Sequence, residues 1–489
     1  MTILPRSNGG SLSLLTDLYQ LTMAYGYWKS GQANAEAVFH LHFRQNPFGG
    51  GFAIACGLAY AIEFLQRFQF DDGDLAYLAT LNGNDGKPLF DAEFLDYLRR
   101  LVFSCDLDAM PEGTVAFPHE PLVRVQGPII QAQIVETPLL NMINFQTLIA
   151  TKAARVCAAA GGDAVLEFGL RRAQGIDGGL AASRAAFVGG CAATSNLLAG
   201  KLFGIPVRGT HAHSWVMCFD SELESFETYA AAMPNNCVFL VDTYGTVEGV
   251  RRAVAVGERL RERGHKMVGV RLDSGDLTAL SIEARKILDA GGFRDAAIVA
   301  SNDLDEHLIA ELKRQGATIG VWGVGTRLAT AYDQPALGGV YKLSAVRSAG
   351  GRWQYKVKLS EQSIKTSCPG IQQVRRYFGP VGAMADVIYD APMGIAEPYT
   401  VADLADDSRG CSIAAGAASA SRDLLVGVFR AGRLVYAAPS VAECRQTARN
   451  QLAEFPSGLM HLTKPDRYLV GLEPRLAELR NRLIQQAKS

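Results

Sequence analysis

The sequence lacks the features that mark membrane-spanning, secreted or strongly cationic proteins. No apolar stretch approaches the roughly 18 residues that a membrane-spanning helix needs. The N-terminus, MTILPRSNGGSLSLL, has no basic start, apolar core or small-residue cleavage site of a secretory signal. With 48 basic and 49 acidic side chains, the formal net charge is -1, which provides no broad cationic surface for nucleic acid. We therefore expect a cytoplasmic protein that binds neither nucleic acid nor a membrane.

Two kinds of short motif are also missing. The nine cysteines are scattered and never spaced as CxxC, so the pattern predicts reduced thiols rather than a zinc knuckle or a disulfide framework. The glycines of GVGT, residues 323–326, are not followed by GK[ST] and do not form GxGxxG. A Walker A loop and a dinucleotide-binding fingerprint are therefore excluded at this point.

What is present is one pattern repeated between residues 164 and 345: an apolar run of strand length followed by polar residues and glycines. The runs read AVLEFGLRRAQG, IPVRGTHAHSW, CVFLVDTYGT, MVGVRLDSGDL, AAIVASNDLDE, TIGVWGVGTRL and GVYKLSAVR. Helical lengths separate most of them, which predicts βα units around a parallel sheet. Active sites of such folds follow the carboxyl ends of the strands. The polar ends nominate Arg171, Arg172, Thr210, His211, His213, Asp242, Arg271, Asp273, Asp276, Asn302, Asp303, Gly325 and Thr326.

The flanking regions differ from this pattern. Periodicity predicts helices at 14–29, 60–68, 91–100, 137–159 and 473–486, and strands at 35–43, 113–117 and 122–135. The chain is long enough for two or three domains. The first portion is thus expected to be α+β.

Arg271, Asp273 and Asp276 are grouped in VGVRLDSGDL, residues 268–277. Alternate side chains of a strand share a face, so Arg271 and Asp273 would point the same way. A guanidinium suits a carboxylate or phosphate, and aspartates suit ribose hydroxyls or Mg²⁺. The alternative is an internal salt bridge with Asp276 as a helix N-cap.

His211 and His213 in GTHAHSW allow three interpretations: metal ligation, a general base or nucleophile, and structural hydrogen bonding. No third metal ligand stands at a standard spacing nearby. Arg171 and Arg172 form either a solvated face or an anion site, and GVGT forms either a tight turn or a cradle of backbone N–H groups for phosphate. Together these groups predict a pocket for phosphate-bearing substrates beside a nucleophilic histidine.

Several segments, in this order, resemble the nicotinate phosphoribosyltransferase family. They read LTDLYQLTMAYGYW, LEFGLRRAQG, GTHAHSWV, VDTYGT, GVRLDSGDL, SNDLDE, GVGTRL, GGVYKL and KLSEQSIKTSCPGIQQVRR, followed near the C-terminus by PDRYLVGLEPRLAELR. The resemblance implies a type II phosphoribosyltransferase: an irregular α/β barrel at 137–350, an N-terminal α+β domain at 1–136, and a C-terminal segment at 351–489 that partly completes the N-terminal domain.

The activity implied by the resemblance converts nicotinate, phosphoribosyl pyrophosphate, ATP and water to nicotinate mononucleotide, pyrophosphate, ADP and phosphate. It needs Mg²⁺, proceeds through a phosphohistidine and belongs to NAD salvage. A homodimer with shared active sites is also implied.

Catalytic roles carried over from the resemblance fall on two segments, GTHAHSWV and GVRLDSGDL. His213 corresponds to the phosphorylated histidine, and Arg271 to the arginine at the nicotinate carboxylate, with Thr210 beside it. Asp273 and Asp276 correspond to candidate Mg²⁺ ligands, and Asp273 also to a partner of ribose hydroxyls.

The remaining roles implied by the resemblance concern substrate binding. Tyr19 matches an aromatic residue that stacks on the pyridine ring from the neighbouring subunit. Arg171 matches the arginine at the ring and ribosyl end, and Gly325 with Thr326 matches the cradle of the 5-phosphate. Asn302 matches a partner of the ribose hydroxyls or of the metal.

The chain departs from the family pattern at Cys368 and Gln372, where the family more often has an ordinary residue and a lysine. The alanine-rich tract at 412–421 is not assigned to any motif of the family. The nearest alternative is nicotinamide phosphoribosyltransferase, which holds its amide with an aspartate; Asn196 in AATSNLLAG favours nicotinate instead. A catalytically silent barrel that acts as a binding protein is the alternative from another class.

Overall fold

The structure, a computed structural model, describes residues 11–360, 366–395, 399–403, 410–413 and 418–488. The chain divides into two units, Met1–Leu148 with Ala336–Ser489, and Ile149–Pro335. Parts of two segments singled out in the sequence, residues 361–365 and 414–417, lie outside the described residues. The predicted boundaries near 136 and 350 stay a prediction.

The helices and strands follow in chain order. From the N-terminus to the first long helix they are α1 Leu18–Lys29, β1 Glu36–His42, β2 Ala53–Ile54, α2 Leu58–Gln66, α3 Asp72–Ala79, α4 Ala92–Arg99, β3 Asp106–Ala109, β4 Val115–Ala116, β5 Val123–Pro128, α5 Ile129–Ile134 and α6 Glu136–Ala160. The second unit contains β6 Ala164–Glu167, α7 Gly175–Val188, β7 Ala193–Thr194, α8 Leu197–Phe203, α9 His213–Met217, α10 Glu222–Ala232, β8 Val238–Leu240, α11 Thr246–Glu262, β9 Gly269–Leu272, α12 Leu277–Ala290, β10 Ala297–Ala300, α13 Glu306–Arg314, β11 Val321–Val324 and α14 Thr326–Ala329. The remainder are β12 Val340–Arg347, β13 Gln354–Tyr355, β14 Gln372–Gly379, β15 Gly382–Asp390, β16 Tyr399–Asp403, β17 Gly410–Ile413, β18 Ala420–Asp423, β19 Val426–Arg430, β20 Arg433–Leu434, α15 Val441–Leu452, β21 Leu469–Leu472 and α16 Pro474–Lys488.

The first unit is built on two larger sheets. One has the strand order β13-β12-β1-β5-β3-β19-β20 and the other β17-β16-β21-β15-β14-β18. Strand β1 is buried along most of its length and pairs antiparallel with both β12 and β5. Chain segments from both sides of the second unit therefore share one sheet, which makes the first unit discontinuous in sequence.

The sequence pattern predicted one strand in the wrong sheet. The run GVYKLSAVR forms β12, but this strand pairs antiparallel with β1 in the first unit. The hydroxyl of Tyr341 donates to the Ala132 carbonyl at 2.6 Å, and Ser344 Oγ donates to the Val38 carbonyl at 3.1 Å. Such partners are distant in sequence, so a local pattern does not reveal which sheet the strand joins.

Two other local predictions need correction. Residues 129–134, predicted as the end of a strand, form helix α5, whose residues are all buried. The run IPV at 205–207 makes only an isolated parallel bridge between Val207 and Thr194. A fully buried segment shows neither the period of a helix nor that of a strand clearly, and this explains the first error.

The second unit is a parallel sheet with the strand order β7-β6-β11-β10-β9-β8. Each neighbouring pair is parallel, with α7, α11, α12 and α13 following β6, β8, β9 and β10 along the chain. The mixed α/β class and the parallel sheet are thus confirmed. Within the described residues, edge strands β7 and β8 do not pair with each other, so hydrogen bonding does not close this sheet into a barrel.

A buried ionic cluster ties helices α6 and α13 together inside the second unit. Lys152 lies 2.7 Å from a Glu306 carboxylate oxygen and 2.6 Å from Asp333, while Arg155 lies 2.8 Å from Glu306. Breaking one partner of such a buried pair is costly, because a charge is left uncompensated. Loss of any one of these side chains is therefore expected to destabilise the second unit.

Two expectations from composition can be compared with the described residues. Free thiols are found at Cys56, Cys105, Cys157, Cys191, Cys218, Cys237, Cys368 and Cys444. None of the helices described is both long enough and apolar enough to cross a membrane.

Candidate functional site

Arg271 lies at the carboxyl end of β9, between two neighbouring strands that run in the same direction. Its Nε donates to Ser301 Oγ at 2.9 Å, its Nη1 to Thr210 Oγ1 at 3.0 Å, and its Nη2 to Asp273 Oδ1 at 2.8 Å. A guanidinium has five N–H groups. Within the described residues these bonds occupy three, which leaves one N–H on each terminal nitrogen for a ligand.

Asp273 is held by several donors. Burial by itself raises the pKa of this carboxyl, but the hydrogen bond from Ser301 and the charge of Arg271 outweigh burial and lower the pKa below its ordinary value. The backbone N–H of Asp273 donates to Asp242 Oδ2 at 2.8 Å, and Ser274 Oγ donates to the same oxygen at 2.7 Å. Asp273 is therefore an ionised, oriented acceptor at neutral pH.

His213 is the first residue of α9 and stands beside this carboxylate. Its Nδ1 lies 3.0 Å from Thr243 Oγ1, and its Nε2 lies 3.7 Å from Asp273 Oδ2. The imidazole is 41% exposed. An accessible imidazole that is oriented on one side can act as a nucleophile or a proton carrier.

His211 has a structural environment instead. It is buried, its Nε2 accepts the backbone N–H of Leu240 at 3.2 Å, and its ring packs against Phe226, Tyr229 and Phe239. Burial and the nearby cations lower its pKa to about 4. The two histidines of GTHAHSW thus divide into one exposed and one buried neutral residue.

Another part of the same sheet edge presents glycines and arginines. Gly325 precedes the short helix that Thr326 begins, and a Cβ at Gly325 would meet the Phe168 carbonyl oxygen at 3.1 Å. Gly169 has no space for a side chain, because a Cβ there would overlap Ala329 Cβ and approach the Gly325 carbonyl oxygen to 2.9 Å. Arg171 follows in an exposed 3₁₀ turn. The two glycine turns therefore lie against each other and place Arg171 near the GVGT turn.

Asn302 and Asp303 are consecutive non-glycine residues with positive φ, at 93° and 43°. Such backbone conformations are costly for residues with a side chain and cluster at functional sites. Both residues are exposed beyond the end of β10. Strand β10 thus ends at Ala300, and the positive-φ turn begins directly after Ser301.

Two candidate residues act as helix caps. Asp276 accepts the backbone N–H of Ala279 at 3.0 Å at the start of α12, as the structural alternative predicted. Asn196 caps α8, donates to Ser183 Oγ at 3.2 Å, and is buried. Both caps position the carboxyl-end loops, and the Asn196 amide is already engaged within the chain.

Tyr19 and the other candidate residues belong to different units of the chain. It lies on α1 of the first unit and is 48% exposed. The other candidates belong to the second unit: Arg171, Thr210, His213, Arg271, Asp273, Asp276, Asn302, Gly325 and Thr326.

Sequence reasoning missed three residues that the structure places against these groups. Ser301 bridges Arg271 and Asp273, Thr243 contacts His213, and the Phe168 ring centroid lies 6.0 Å from the guanidinium carbon of Arg271. Ser301 and Thr243 stand at predicted strand ends, so a hydroxyl at such a position was the available signal. Phe168 extends an apolar run and has no such signal.

The described residues include no group of three or more His, Cys, Asp or Glu side chains placed to hold a metal ion. Single carboxylate oxygens that could each bind a metal ion are nevertheless present. Asp242 Oδ1 is buried without a hydrogen-bond partner among the described residues, and Asp273 Oδ2 faces His213. Mg²⁺ commonly binds one or two carboxylates together with substrate phosphates, and this edge of the sheet offers that arrangement.

Comparisons with known proteins give a consistent result. Two family models match: the nicotinate phosphoribosyltransferase (NAPRTase) N-terminal domain at residues 14–144 and the C-terminal domain at residues 371–480. The nicotinate phosphoribosyltransferase of Bacillus subtilis (strain 168) is 42% identical over 484 residues, covering 98% of this chain and 96% of its own. The human nicotinate phosphoribosyltransferase is 36% identical, covering 98% of both chains.

Solved structures agree with the sequence relatives. The crystal structure of human nicotinic acid phosphoribosyltransferase matches with a TM-score of 0.83 and 34% identity, covering 96% of this chain and 99% of that one. A nicotinate-nucleotide pyrophosphorylase from Pyrococcus furiosus matches with a TM-score of 0.69 at 20% identity, covering 93% and 99%. The second likeness concerns the fold alone.

Proposed function

The chain belongs to the nicotinate phosphoribosyltransferase family, and on that premise we propose that it transfers the phosphoribosyl group of phosphoribosyl pyrophosphate to nicotinate. In this reaction the pyridine nitrogen forms a bond to the anomeric carbon of the ribose, and the bond from that carbon to pyrophosphate breaks. The products are nicotinate mononucleotide and pyrophosphate. The pathway served is NAD salvage.

The observation that carries this proposal is the arrangement around Arg271. Three hydrogen bonds fix the guanidinium, and one N–H on each terminal nitrogen has no partner in the described part of the chain. Two parallel N–H groups are the partners that a carboxylate accepts in a bidentate pair. Nicotinate would place its carboxylate on Arg271, with Thr210 alongside and the Phe168 ring centroid 6.0 Å from the guanidinium carbon.

Phosphoribosyl pyrophosphate would occupy the glycine-rich side of the same edge. Backbone N–H groups at Gly325 and Thr326 suit its 5-phosphate, Arg171 suits the ribosyl end, and Asn302 suits a ribose hydroxyl. Positive charge develops on the ribose and negative charge on the leaving pyrophosphate as the bond breaks. Cationic groups placed beforehand stabilise that separation more than they stabilise the ground state.

ATP is proposed as a co-substrate that phosphorylates His213. An imidazole nitrogen attacks the γ-phosphorus, an N–P bond forms, and the bond to the ADP oxygen breaks; water later hydrolyses the phosphohistidine to phosphate. The accessible imidazole, fixed on one side by Thr243 and facing Asp273, supports this role. Phosphorylation would tighten the binding of phosphoribosyl pyrophosphate rather than touch the transferred atom.

Mg²⁺ is the metal that this chemistry requires, and it would neutralise charge on the phosphates. Asp273 fits as a ligand because its Oδ2 is not occupied by a strong donor, and Asp242 Oδ1 offers a second oxygen. Asp276 was also expected to bind Mg²⁺, but one of its oxygens already caps α12. We therefore place the stronger metal role on Asp273.

A homodimer with shared active sites completes the proposal. Leu18, Tyr19 and Met23 are all at least 41% exposed, and their spacing places them on one side of α1. Exposed apolar faces of this kind mark interaction surfaces. A second copy covering this face would bring Tyr19 to its neighbour's pyridine ring.

The decisive experiment measures product formation from nicotinate, phosphoribosyl pyrophosphate and Mg²⁺, with and without ATP. We expect nicotinate mononucleotide and pyrophosphate in equal amounts, with ATP accelerating their formation. Faster turnover of nicotinamide than of nicotinate would favour the alternative phosphoribosyltransferase. Absence of pyrophosphate release with either ring would favour a silent binding protein.

A further inference from the structure

The hydroxyl of Ser301 lies between the charged groups of Arg271 and Asp273. Ser301 directly follows β10 and is only 4% exposed. Its Oγ accepts a hydrogen bond from Arg271 Nε at 2.9 Å and donates one to Asp273 Oδ1. A hydroxyl has one proton, and the Leu272 carbonyl at 3.4 Å is the more distant acceptor for it.

This bridge determines how the arginine and the aspartate meet. Nε and Nη2 lie on the same edge of a guanidinium, and a carboxylate readily takes both in a bidentate pair. Here Ser301 occupies Nε, so Asp273 contacts Arg271 through Oδ1 and Nη2 alone. Its second oxygen, Oδ2, is left facing His213 Nε2 at 3.7 Å.

The surrounding backbone favours a small hydroxyl residue at this position. The backbone N–H of Ser301 donates to the Leu272 carbonyl at 2.9 Å, and the positive-φ turn of Asn302 and Asp303 follows immediately. Gly323 lies opposite, where an added Cβ would come within 3.4 Å of the Ser301 Cβ and 2.8 Å of the Phe168 ring. The position of Ser301 is thus fixed by a backbone hydrogen bond to the neighbouring strand β9 and by buried packing.

We infer that Ser301 is a positioning residue that limits the contact between Arg271 and Asp273 to one hydrogen bond, from Nη2 to Oδ1. It thereby fixes the orientation of the guanidinium, whose remaining terminal N–H groups would take a substrate carboxylate, and it leaves Oδ2 of Asp273 on the side occupied by His213. The inference rests on the proposed function and deepens it, because it identifies what sets the preference for a pyridine carboxylate over a pyridine amide. A neutral amide has one oxygen acceptor and gains less from two oriented donors than a carboxylate does.

The test compares Ser301→Ala, which removes the bridge, with Ser301→Thr, which keeps the hydroxyl. Ser281→Ala is the matched control, since Ser281 is a buried hydroxyl of the same unit that hydrogen-bonds to Thr278 and Thr318. In Ser301→Ala we expect the KM for nicotinate to rise about 10- to 100-fold, with a change in the KM for phosphoribosyl pyrophosphate below about threefold. The kcat/KM ratio of nicotinate over nicotinamide should fall in parallel, and Ser301→Thr should restore most of it.

A second readout is the division of the effect between KM and kcat. Ser301→Ala should raise the KM for nicotinate by a larger factor than it lowers kcat, and Ser281→Ala should change neither. An unchanged nicotinate KM and substrate ratio in Ser301→Ala would overturn the inference. So would a rise of both KM values together with a lowered Tm, which indicates general loosening.

Measurement of the wild-type protein distinguishes failure of the proposed function from failure of the inference about Ser301. If wild-type protein does not turn over nicotinate, the proposed function fails and the inference fails with it. If it does, and Ser301→Ala behaves like Ser281→Ala, only the inference fails. Should Ser301→Ala not fold, Ser301→Cys preserves the shape with a weaker hydrogen bond and is expected to raise the nicotinate KM by a smaller factor.

Discussion

Arg271 and His213 are held in different ways, and each way suits a different task. Three neighbours fix the guanidinium of Arg271, which is 16% exposed. Among the residues that the structure describes, His213 has one close partner, Thr243, and its side chain is 41% exposed. A fixed guanidinium can recognise a carboxylate through geometry, whereas an accessible imidazole can react with a second substrate. In the proposed function, binding of nicotinate and acceptance of a phosphoryl group therefore belong to separate residues, which share Asp273 as a neighbour.

His213→Ala should uncouple ATP from phosphoribosyl transfer. Without the imidazole no phosphohistidine forms, so protein incubated with γ-labelled ATP should retain no label, and turnover should no longer respond to ATP. Slow transfer without ATP should persist, because the substituted side chain is not bonded to Arg271. His307→Gln, an exposed position on α13, is the control and should behave like the wild type. Full ATP stimulation in His213→Ala would contradict the proposed role.

His211 should make the second unit less stable in acid. Its folded pKa of about 4 lies below the ordinary 6.5, so between these values the unfolded chain binds more protons. Stability from this group is complete above about pH 6.5 and is lost as the pH falls towards 4, at about 1.4 kcal/mol per pH unit.

His211→Phe should remove this pH dependence. The phenyl ring can pack against Phe226, Tyr229 and Phe239, although the Leu240 N–H loses its acceptor at a cost of about 1–3 kcal/mol. The free energy of unfolding, measured with denaturant at pH 5 and pH 6, should increase less with pH than it does in the wild type. The difference should be about 1.4 kcal/mol per pH unit, which corresponds to one proton. An unchanged pH dependence would mean that His211 is not held neutral by burial.

At the scale of elements, local patterns predicted most helices and the parallel strands but not every partner. The helix predicted at 137–159 is α6, and the strand predicted at 35–43 is β1. Strand β12 was assigned to the wrong sheet because its partner β1 is far away in sequence. The strand ends nominated most of the candidate site, since polar residues after parallel strands meet at one edge. Ser301 and Phe168 were missed because their roles depend on contacts between strands, which periodicity does not contain.

Gly169 connects two turns of the site, and its substitution tests that connection. In Gly169→Ala the new Cβ would collide with Ala329 and the Gly325 carbonyl, so we expect a loss of about 1–3 kcal/mol of stability. The KM for phosphoribosyl pyrophosphate should rise more than the KM for nicotinate, because the GVGT turn must move. Gly178→Ala on α7 has no atom within 4 Å of its Cβ and should instead stabilise by about 0.5–1 kcal/mol. Equal effects of both substitutions on thermal unfolding would contradict the close approach of the two turns.

At the scale of the whole molecule, the candidate residues are distributed unevenly between the two units. Ile149–Pro335 contains the polar strand ends, while Tyr19 belongs to the unit formed by both ends of the chain. Exposed apolar side chains occur in both units, with Leu18 and Met23 in the first and Ile176 and Leu197 in the second. Such surfaces favour association of copies, and association is the proposed route by which Tyr19 reaches an active site.

Subunit exchange between two inactive variants tests this shared site. Tyr19→Ala and Arg271→Ala should each have little activity as homodimers. In a hybrid dimer, one site would combine the intact Arg271 of one chain with the intact Tyr19 of the other, so an equal mixture after exchange should recover about a quarter of wild-type activity. Mixing Arg271→Ala with His213→Ala is the control: both residues lie in Ile149–Pro335, so each chain's own site stays defective and no recovery is expected. If exchange is verified and neither mixture recovers activity, Tyr19 serves its own chain or does not act at the ring, and the shared site is ruled out.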